Sequence, residues 1–466
     1  MTNPKSRMFA AVVGALSLGA AAAWAVEPTQ TDAKIQELQA KVAALEAKQA
    51  ANTKDLAATV DAVLRDAERR SQLLANGGEM GAGYENGFYI RKGNDWVLRP
   101  SVLFQFWNVT DFRQEVVGSG GEADDRLDNG FEVHRLKFAL EGTAMKDITY
   151  CFIWQTSSYD SSLSLLDAWA KYMFADDWGL QIGQFKDPVN KEFLTGDQYL
   201  MAAERSLMNQ LLGGGFVGYT QGVGLVYGGQ NPKNPVNAIV AFTDGIGQGN
   251  TSFTEKTGLV NTPMDGNYPV PGEFDFGVAG RVEYLAFGDW KDYRDFSAQG
   301  NKQDLLVLGM GGDWSQSGDG DSFVGALDAQ WENASGLGIY GAGLVRYLTT
   351  DMSSAATDST DWGLLAQVSY MLDPQWEVFG RYDITFMDDE AALIGGTEDN
   401  YQEITVGLNY YLKAAADHRA KFTVDLTWLP TGAPNSNYFD ATAIGAQDEN
   451  DGSNEFMIRA QFQLLI

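Results

Sequence analysis

Short segments in which apolar and polar residues alternate follow one another from Gly87 to Ile466. The side chains of an extended strand point alternately to its two faces, so a period of two predicts β-strands with one apolar and one polar face. The segment 421–428 has this pattern, because polar residues separate its apolar ones. These apolar residues are Phe422, Val424, Leu426 and Trp428.

Composition favours a membrane barrel over a soluble sandwich for these strands. The chain has 25 Phe, 19 Tyr and 12 Trp, and many apolar faces end in Tyr or Trp, as in the aromatic girdles of outer-membrane barrels. Beyond the N-terminus there is no run of eighteen apolar residues, which excludes membrane-spanning helices. We therefore predict an all-β fold, a 16-stranded antiparallel transmembrane barrel. Its strands should start near residues 96, 130, 148, 164, 178, 219, 237, 274, 304, 322, 337, 361, 375, 400, 419 and 454.

The connections between these segments alternate in length, which is typical of a barrel with short periplasmic turns and long external loops. Short connections are expected at 146–147, 176–177, 333–336 and 373–374. Long ones are expected at 111–129, 190–218, 244–273, 387–399 and 430–453. The connection 289–303 departs from the alternation, because it is long where a turn is expected.

The N-terminal region predicts export. Lys5 and Arg7 precede an apolar stretch that ends in Ala23-Trp24-Ala25, and this arrangement predicts a signal peptide at residues 1–25. A short membrane anchor is the alternative.

A periplasmic α-helical coiled-coil segment and linker are expected at residues 26–78, before the barrel domain at 79–466. Apolar residues occupy successive a and d positions of a heptad, which predicts self-association as a homotrimer. A helical spacer is the alternative. The seam consists of Ile35, Leu38, Val42 and Leu45.

Charge and motifs exclude several classes of function. The net charge of −29 disfavours nucleic-acid binding. Acidic residues concentrate in expected loops, either as solvated surface or as a divalent-cation or lipopolysaccharide contact. Cys151 stands alone beside only two histidines, and the catalytic motifs of hydrolases, zinc proteases and P-loop enzymes are absent. No enzyme activity, cofactor or metal site is expected, although some membrane barrels are lipases or proteases.

Four segments in the first third of the barrel resemble the phosphate-selective porin O and P family. They are Phe131-Glu132-Val133-His134-Arg135-Leu136-Lys137-Phe138 with Glu141-Gly142, then Asp167-Ala168-Trp169-Ala170-Lys171-Tyr172, then Gly183-Gln184-Phe185-Lys186-Asp187-Pro188, and finally Glu204-Arg205-Ser206. The resemblance implies a trimeric outer-membrane porin of sixteen strands whose third long loop folds into the lumen. In the best-known branch of the family, lumen arginines and lysines bind phosphate or polyphosphate. This chain departs in its acidity, its N-terminal helical segment and its last residue, Ile466.

Strand alternation selects candidate residues for the pore wall. The basic candidates are Arg99, Arg135, Lys137, Lys171, Arg281, Arg381, Lys421 and Arg459. An equal number of acids shares their face, so salt-bridged wall pairs are as consistent with the pattern as a selectivity ladder. The acids are Asp167, Asp275, Glu283, Asp328, Glu377, Asp383, Glu403 and Asp425.

A constriction loop is expected at 191–215, with a helix over 199–212 and with Lys191, Glu204 and Arg205 as its charged residues. An external loop that packs on a neighbouring subunit is the alternative. The expected function is passive diffusion of small charged solutes, with an anion preference such as for phosphate. A general or cation-preferring pore remains open, as does an outer-membrane anchor whose coil contacts the cell wall.

Overall fold

The computed structural model describes residues 37, 40–44, 65 and 80–466, except 86, 94, 118–122, 158–160, 230, 232, 248, 250–273, 318–319, 351–356, 389–397, 413–417, 435–443 and 447–453. The chain divides into two units, Met1–Gly78 and Glu79–Ile466.

In the first unit the described residues are helical, and Lys41 Nζ donates a hydrogen bond to Glu37 Oε1 at 2.6 Å, one turn earlier. Val42 is exposed. The signal peptide and the seam residues Ile35, Leu38 and Leu45 lie outside the described residues, so the coiled coil stays a prediction. Across the described parts of the chain, no helix combines the length and hydropathy needed to cross a bilayer.

The second unit is a closed antiparallel barrel of sixteen strands, as predicted. Each strand from β3 to β18 pairs with its neighbour in sequence, and β18 closes the barrel by pairing with β3 from Leu465↔Leu103 to Glu455↔Arg113. The strands are β3 Trp96–Val117, β4 Ala123–Ala144, β5 Ile148–Thr156, β6 Leu163–Met173, β7 Trp178–Lys186, β8 Tyr219–Tyr227, β9 Val236–Thr243, β10 Phe276–Phe287, β11 Leu305–Ser317, β12 Gly320–Glu332, β13 Leu337–Thr350, β14 Thr357–Met371, β15 Trp376–Phe386, β16 Asn400–Tyr411, β17 Ala420–Leu429 and β18 Glu455–Leu465.

A short hairpin that alternation did not reveal precedes the barrel. Its strands are β1 Met80–Tyr84 and β2 Phe88–Lys92, and β2 pairs with the start of β3 from Ile90↔Leu98 to Lys92↔Trp96. Arg419, the last residue of the short-turn connection between β16 and β17, donates to the Tyr84 hydroxyl at 3.2 Å. The hairpin therefore lies at the short-turn end of the barrel.

Burial along the strands is inverted relative to a soluble protein. On β17, Val424 and Leu426 are 48% and 43% exposed, whereas Asp425 is 1% exposed. Apolar side chains thus cover the outside, where lipid can solvate them, and polar side chains fill the inside. Closure leaves no unpaired strand edge along the β3–β18 seam, which is the condition for strands to cross a bilayer.

The predicted connections are confirmed with two corrections. Residues 111–129 are not a long loop, because β3 continues to Val117 and β4 starts at Ala123. The helix predicted over 199–212 is shorter: after α1 Lys191–Leu194, a 3₁₀ turn covers Asp197–Tyr199, and the later helices are α2 Leu207–Leu212 and α3 Gly214–Val217. Ser206 caps α2, because its side chain accepts a hydrogen bond from Asn209 N.

Candidate functional site

The segment between β7 and β8, residues 187–218, folds into the lumen and is called here the constriction loop. Wall carboxylates on the opposite side of the barrel accept hydrogen bonds from its backbone. Asp425 accepts from Ala203 N at 2.8 Å, Glu403 from Leu207 N at 2.8 Å and Asp383 from Met208 N at 2.9 Å. The loop therefore crosses from β7 to the wall formed by β15–β17.

Four buried arginines join this loop and other connections to the wall. Each pairs with a wall carboxylate, at 2.8 Å for Arg281–Asp328, 2.6 Å for Arg346–Asp361, 2.5 Å for Arg381–Glu403 and 2.7 Å for Arg459–Asp425. Each also donates to a carbonyl outside the strands. The acceptors are the carbonyls of Val189, Leu211, Glu204 and Ile444, respectively.

These arginines lie beneath connecting segments. Arg281, Arg381 and Arg459, which alternation selected for the pore wall, are 4%, 6% and 1% exposed. Lys421 is buried as well and donates to the carbonyl of Leu200. Arg346 was missed because its neighbours on the same face of β13, Leu344 and Leu348, are apolar, so alternation gave no polar face there. The geometry gives these cations structural partners in the connecting segments.

A second cluster stands where the constriction loop meets the wall near its own start. Asp197 pairs with Lys137, lies 2.8 Å from Arg205 Nη1 and 3.9 Å from Arg135 Nε. Glu204 pairs with Arg135. The two loop carboxylates thus collect basic groups from β4 and from the loop itself.

Lys186, at the end of β7, adds a further cation to this cluster. Its ammonium donates to the carbonyls of Phe193 at 2.7 Å and Thr195 at 3.4 Å. Asp167 on β6 acts electrostatically on both Lys186 and Lys137. We name these residues the constriction cluster: Arg135, Lys137, Lys186, Arg205, Asp167, Asp197 and Glu204.

A β-bulge brings one more side chain to the cluster. The register passes from Gln105↔Arg135 to Phe106↔Val133, so His134 is an extra residue on β4. Its ring stacks on Trp107 at 3.5 Å, and its two nitrogens lie 2.9 Å from Glu132 and Glu204. Neighbouring residues 134 and 135 therefore both contact Glu204, which strict alternation forbids.

Both loop carboxylates of the cluster are ionised at neutral pH. Burial acts to raise the pKa of Asp197, but Lys137, Arg205 and Arg135 hold it well below its usual range. Burial has the same effect on Glu204, and Arg135 and His134 lower its pKa in the same way. The cluster thus contains four basic side chains and three carboxylates, and a further carboxylate, that of Glu192, accepts hydrogen bonds from Ser206 next to Arg205.

Openings lie above and below this cluster. At the long-loop end, a cavity of about 350 Å³ is bordered by Asp111, Asp128, Glu132 and Arg126. Towards the short-turn end, a cavity of about 190 Å³ lies against Gln181, Asn237 and Glu283. Acids predominate at the first opening, whereas amides and the Arg281–Glu283 ion pair line the second.

The remaining basic candidates lie towards the short-turn end. Arg99 is exposed and donates to the carbonyl of Glu85 at 3.1 Å. Lys171 is partly buried, with its ammonium 5.8 Å from the centre of the Trp169 ring.

Cys151 is buried, with its thiol 3.5 Å from Glu141.

Comparison with known proteins supports the same assignment of fold. The family model "Phosphate-selective porin O and P" matches residues 108–323, which contains the four segments that carried the resemblance. No curated protein matches the sequence.

Two solved structures share the fold at low sequence identity. An anion-selective porin from Comamonas acidovorans is similar with a TM-score of 0.50 and 12% identity, over 79% of this chain and 100% of that one. The high-pH structure of OprB from Pseudomonas putida is similar with a TM-score of 0.51 and 9% identity, over 79% of this chain and 94% of that one.

Proposed function

We propose that this outer-membrane porin channel, similar to phosphate-selective porins over residues 108–323, conducts small anions in preference to cations. The observation that carries the proposal is the constriction cluster, where the basic side chains Arg135, Lys137, Lys186 and Arg205 lie together where the constriction loop meets the wall. Fixed charge at a narrow passage decides which ions enter it. Small phosphate-like anions are the solute class that fits a cluster of guanidinium and ammonium groups.

Charge close to the passage outweighs the acidity of the whole chain. The Debye length is about 8 Å at physiological ionic strength, so exposed loop acids act weakly on the constriction. The cluster's ion pairs are buried and are screened less. A net charge of −29 is therefore compatible with anion preference in the lumen.

The acidic opening at the long-loop end favours a second candidate, a general or cation-preferring diffusion pore. Asp111, Asp128 and Glu132 border this opening, and Arg126 is the basic residue there. Such a vestibule concentrates cations at low salt, and this effect weakens as salt rises. Salt screens the exposed vestibule more than the buried cluster. An anion preference that increases with salt concentration would therefore identify the contribution of the cluster and separate it from that of the vestibule.

Neutralising Asp197 tests the role of the cluster. In Asp197→Asn, the neighbouring cations Lys137, Arg205 and Arg135 lose their shared countercharge, so the reversal potential in a KCl gradient should move further towards anion preference. Asp176→Asn is the matched control, because it removes the same charge from an exposed short turn. Equal reversal potentials for the two variants would contradict the proposal.

The setting of the channel is proposed from the N-terminal sequence. We infer that residues 1–25 direct export, that residues 26–78 lie in the periplasm, and that barrels associate as homotrimers through this segment. A tether that contacts the cell wall is the alternative role for the helical segment. Stepwise conductance of the purified protein in a planar bilayer supports a channel, whereas a silent bilayer would support an anchor.

A further inference from the structure

The connection between β10 and β11 is folded into the barrel from the short-turn end. It covers residues 289–303 and is called here the inner connection. The other short-turn connections are mostly brief, but this one contains a 3₁₀ turn, Asp292–Arg294. Its central residues Tyr293, Asp295, Phe296, Ser297, Ala298 and Gln299 are all buried.

The inner connection is attached to one side of the barrel wall. The ring of Phe296 lies 4.7 Å from that of Tyr340 on β13, and its carbonyl accepts from Ser369 Oγ on β14 at 3.5 Å. Gln299 donates to the carbonyl of Pro374 at 3.1 Å. Gln330 on β12 donates to the carbonyl of Asp295. These contacts cover the lumen face of β12–β14.

The same connection meets the constriction loop at two points. Lys191 Nζ donates to the carbonyl of Tyr293 and lies 3.8 Å from the centre of its ring. The guanidinium of Arg294 lies 4.8 Å from the centre of the Tyr199 ring. Two segments that enter the lumen from opposite ends of the barrel are therefore in direct contact.

A cavity remains at the same depth beside the adjoining strands β7–β10. The cavity of about 190 Å³ lies against Gln181 on β7, Asn237 on β9 and Glu283 on β10. The Tyr293 hydroxyl donates to Glu283 Oε1 at 3.0 Å, so Tyr293 stands at the border between the covered and the open side.

We propose that the inner connection is a second constriction element: together with the constriction loop it closes the lumen beside β12–β14 and directs solutes along β7–β10. Tyr293 and Phe296 are its positioning residues. The proposal rests on passage of solutes through this lumen but not on the sign of their charge, so it can fail or hold independently of anion preference.

Two single-cysteine variants at matched depth test the path. Gln181 is three residues from the short-turn end of β7, and Ser369 is two residues from that end of β14. Each is replaced by Cys in a Cys151→Ser background and treated with a charged methanethiosulfonate in a planar bilayer. Gln181→Cys should lose conductance at least ~10-fold faster than Ser369→Cys, since a buried thiol reacts only after local opening.

Removing the anchors of the inner connection should abolish this difference. In Tyr293→Ala/Phe296→Ala, single-channel conductance should rise and Ser369→Cys should react at nearly the rate of Gln181→Cys. Tyr293→Phe keeps the ring beside Lys191 and loses only its hydroxyl contacts, so it should retain the conductance of the parent protein.

Equal reaction rates of the two cysteines in the parent protein would overturn the proposal. So would a double alanine variant that retains both the parent conductance and an unreactive Ser369→Cys. A heat-modifiable band in gels shows whether the double variant is folded. If it is not folded, the reaction rates of Gln181→Cys and Ser369→Cys without the alanine substitutions test the proposal by themselves.

Discussion

Arg381 anchors the constriction loop to the barrel wall, and its removal should lower the free energy of unfolding. Its guanidinium donates two hydrogen bonds to Glu403 Oε1, at 3.0 and 2.5 Å, and one each to the carbonyls of Glu204 and Arg205. Arg381→Met keeps an unbranched stem and removes all four bonds. Removing one partner of a buried ion pair costs about 3–5 kcal/mol, so the free energy of unfolding should fall by about that amount.

Urea unfolding in detergent micelles, followed by tryptophan fluorescence, measures the loss. Arg126→Met is the matched control, because Arg126 Nε lies 3.4 Å from Asp128 and the two side chains are 55% and 42% exposed. Exposed pairs contribute about 0–1 kcal/mol. The control should therefore unfold near the parent midpoint.

The double variant Arg381→Met/Glu403→Gln identifies the cause. It removes both charges, and glutamine retains an acceptor for Leu207 N, so it should be more stable than Arg381→Met alone. A loss below about 1 kcal/mol in Arg381→Met, or a double variant that is less stable than the single one, would refute the description of Arg381 as the buried anchor of the loop.

Three further predictions concern the loop, its charges and the N-terminal segment. Arg346→Met, which frees Asp361 and the carbonyl of Leu211, should destabilise the barrel by a similar amount in the same urea assay. The cations around Asp197 hold its pKa well below its usual 3.8, and stability from a depressed carboxyl pKa is lost only as pH falls through the folded value. Single-channel conductance should therefore stay constant from neutral pH down to about pH 4, and flickering above that pH would count against the ionised cluster. Deleting residues 32–75 should lower the temperature at which the trimer band dissociates in gels, and an unchanged temperature would remove the helical segment from the assembly.

Alternation predicted the barrel well because lipid and lumen impose opposite polarity on successive residues. The starts of β5, β7 and β13 were placed at their observed residues. Composition misled the reading of 111–129, where Gly and Asp resemble a loop although the strands continue. The hairpin β1–β2 was missed because five residues are too few for a period to emerge.

The interior was harder to predict, because it depends on which connections fold inwards. Alternation placed Arg135 and Lys137 on the inner face, where they lie, but the bulge at His134 depends on pairing with β3. A strand was expected to start near residue 274, yet Phe274 precedes β10 and is buried. The unusual length of 289–303 was visible in the sequence, whereas its insertion between β12 and the constriction loop was not.

The reversal potential of the parent channel in a KCl gradient tests the central claim most directly. The grouping of Arg135, Lys137, Lys186 and Arg205 at the constriction predicts that Cl⁻ permeates faster than K⁺. Arg135→Gln/Lys137→Gln should shift the reversal potential towards cation preference. A parent channel that already prefers K⁺, or a double variant with the parent reversal potential, would contradict the account and leave a general diffusion pore in its place.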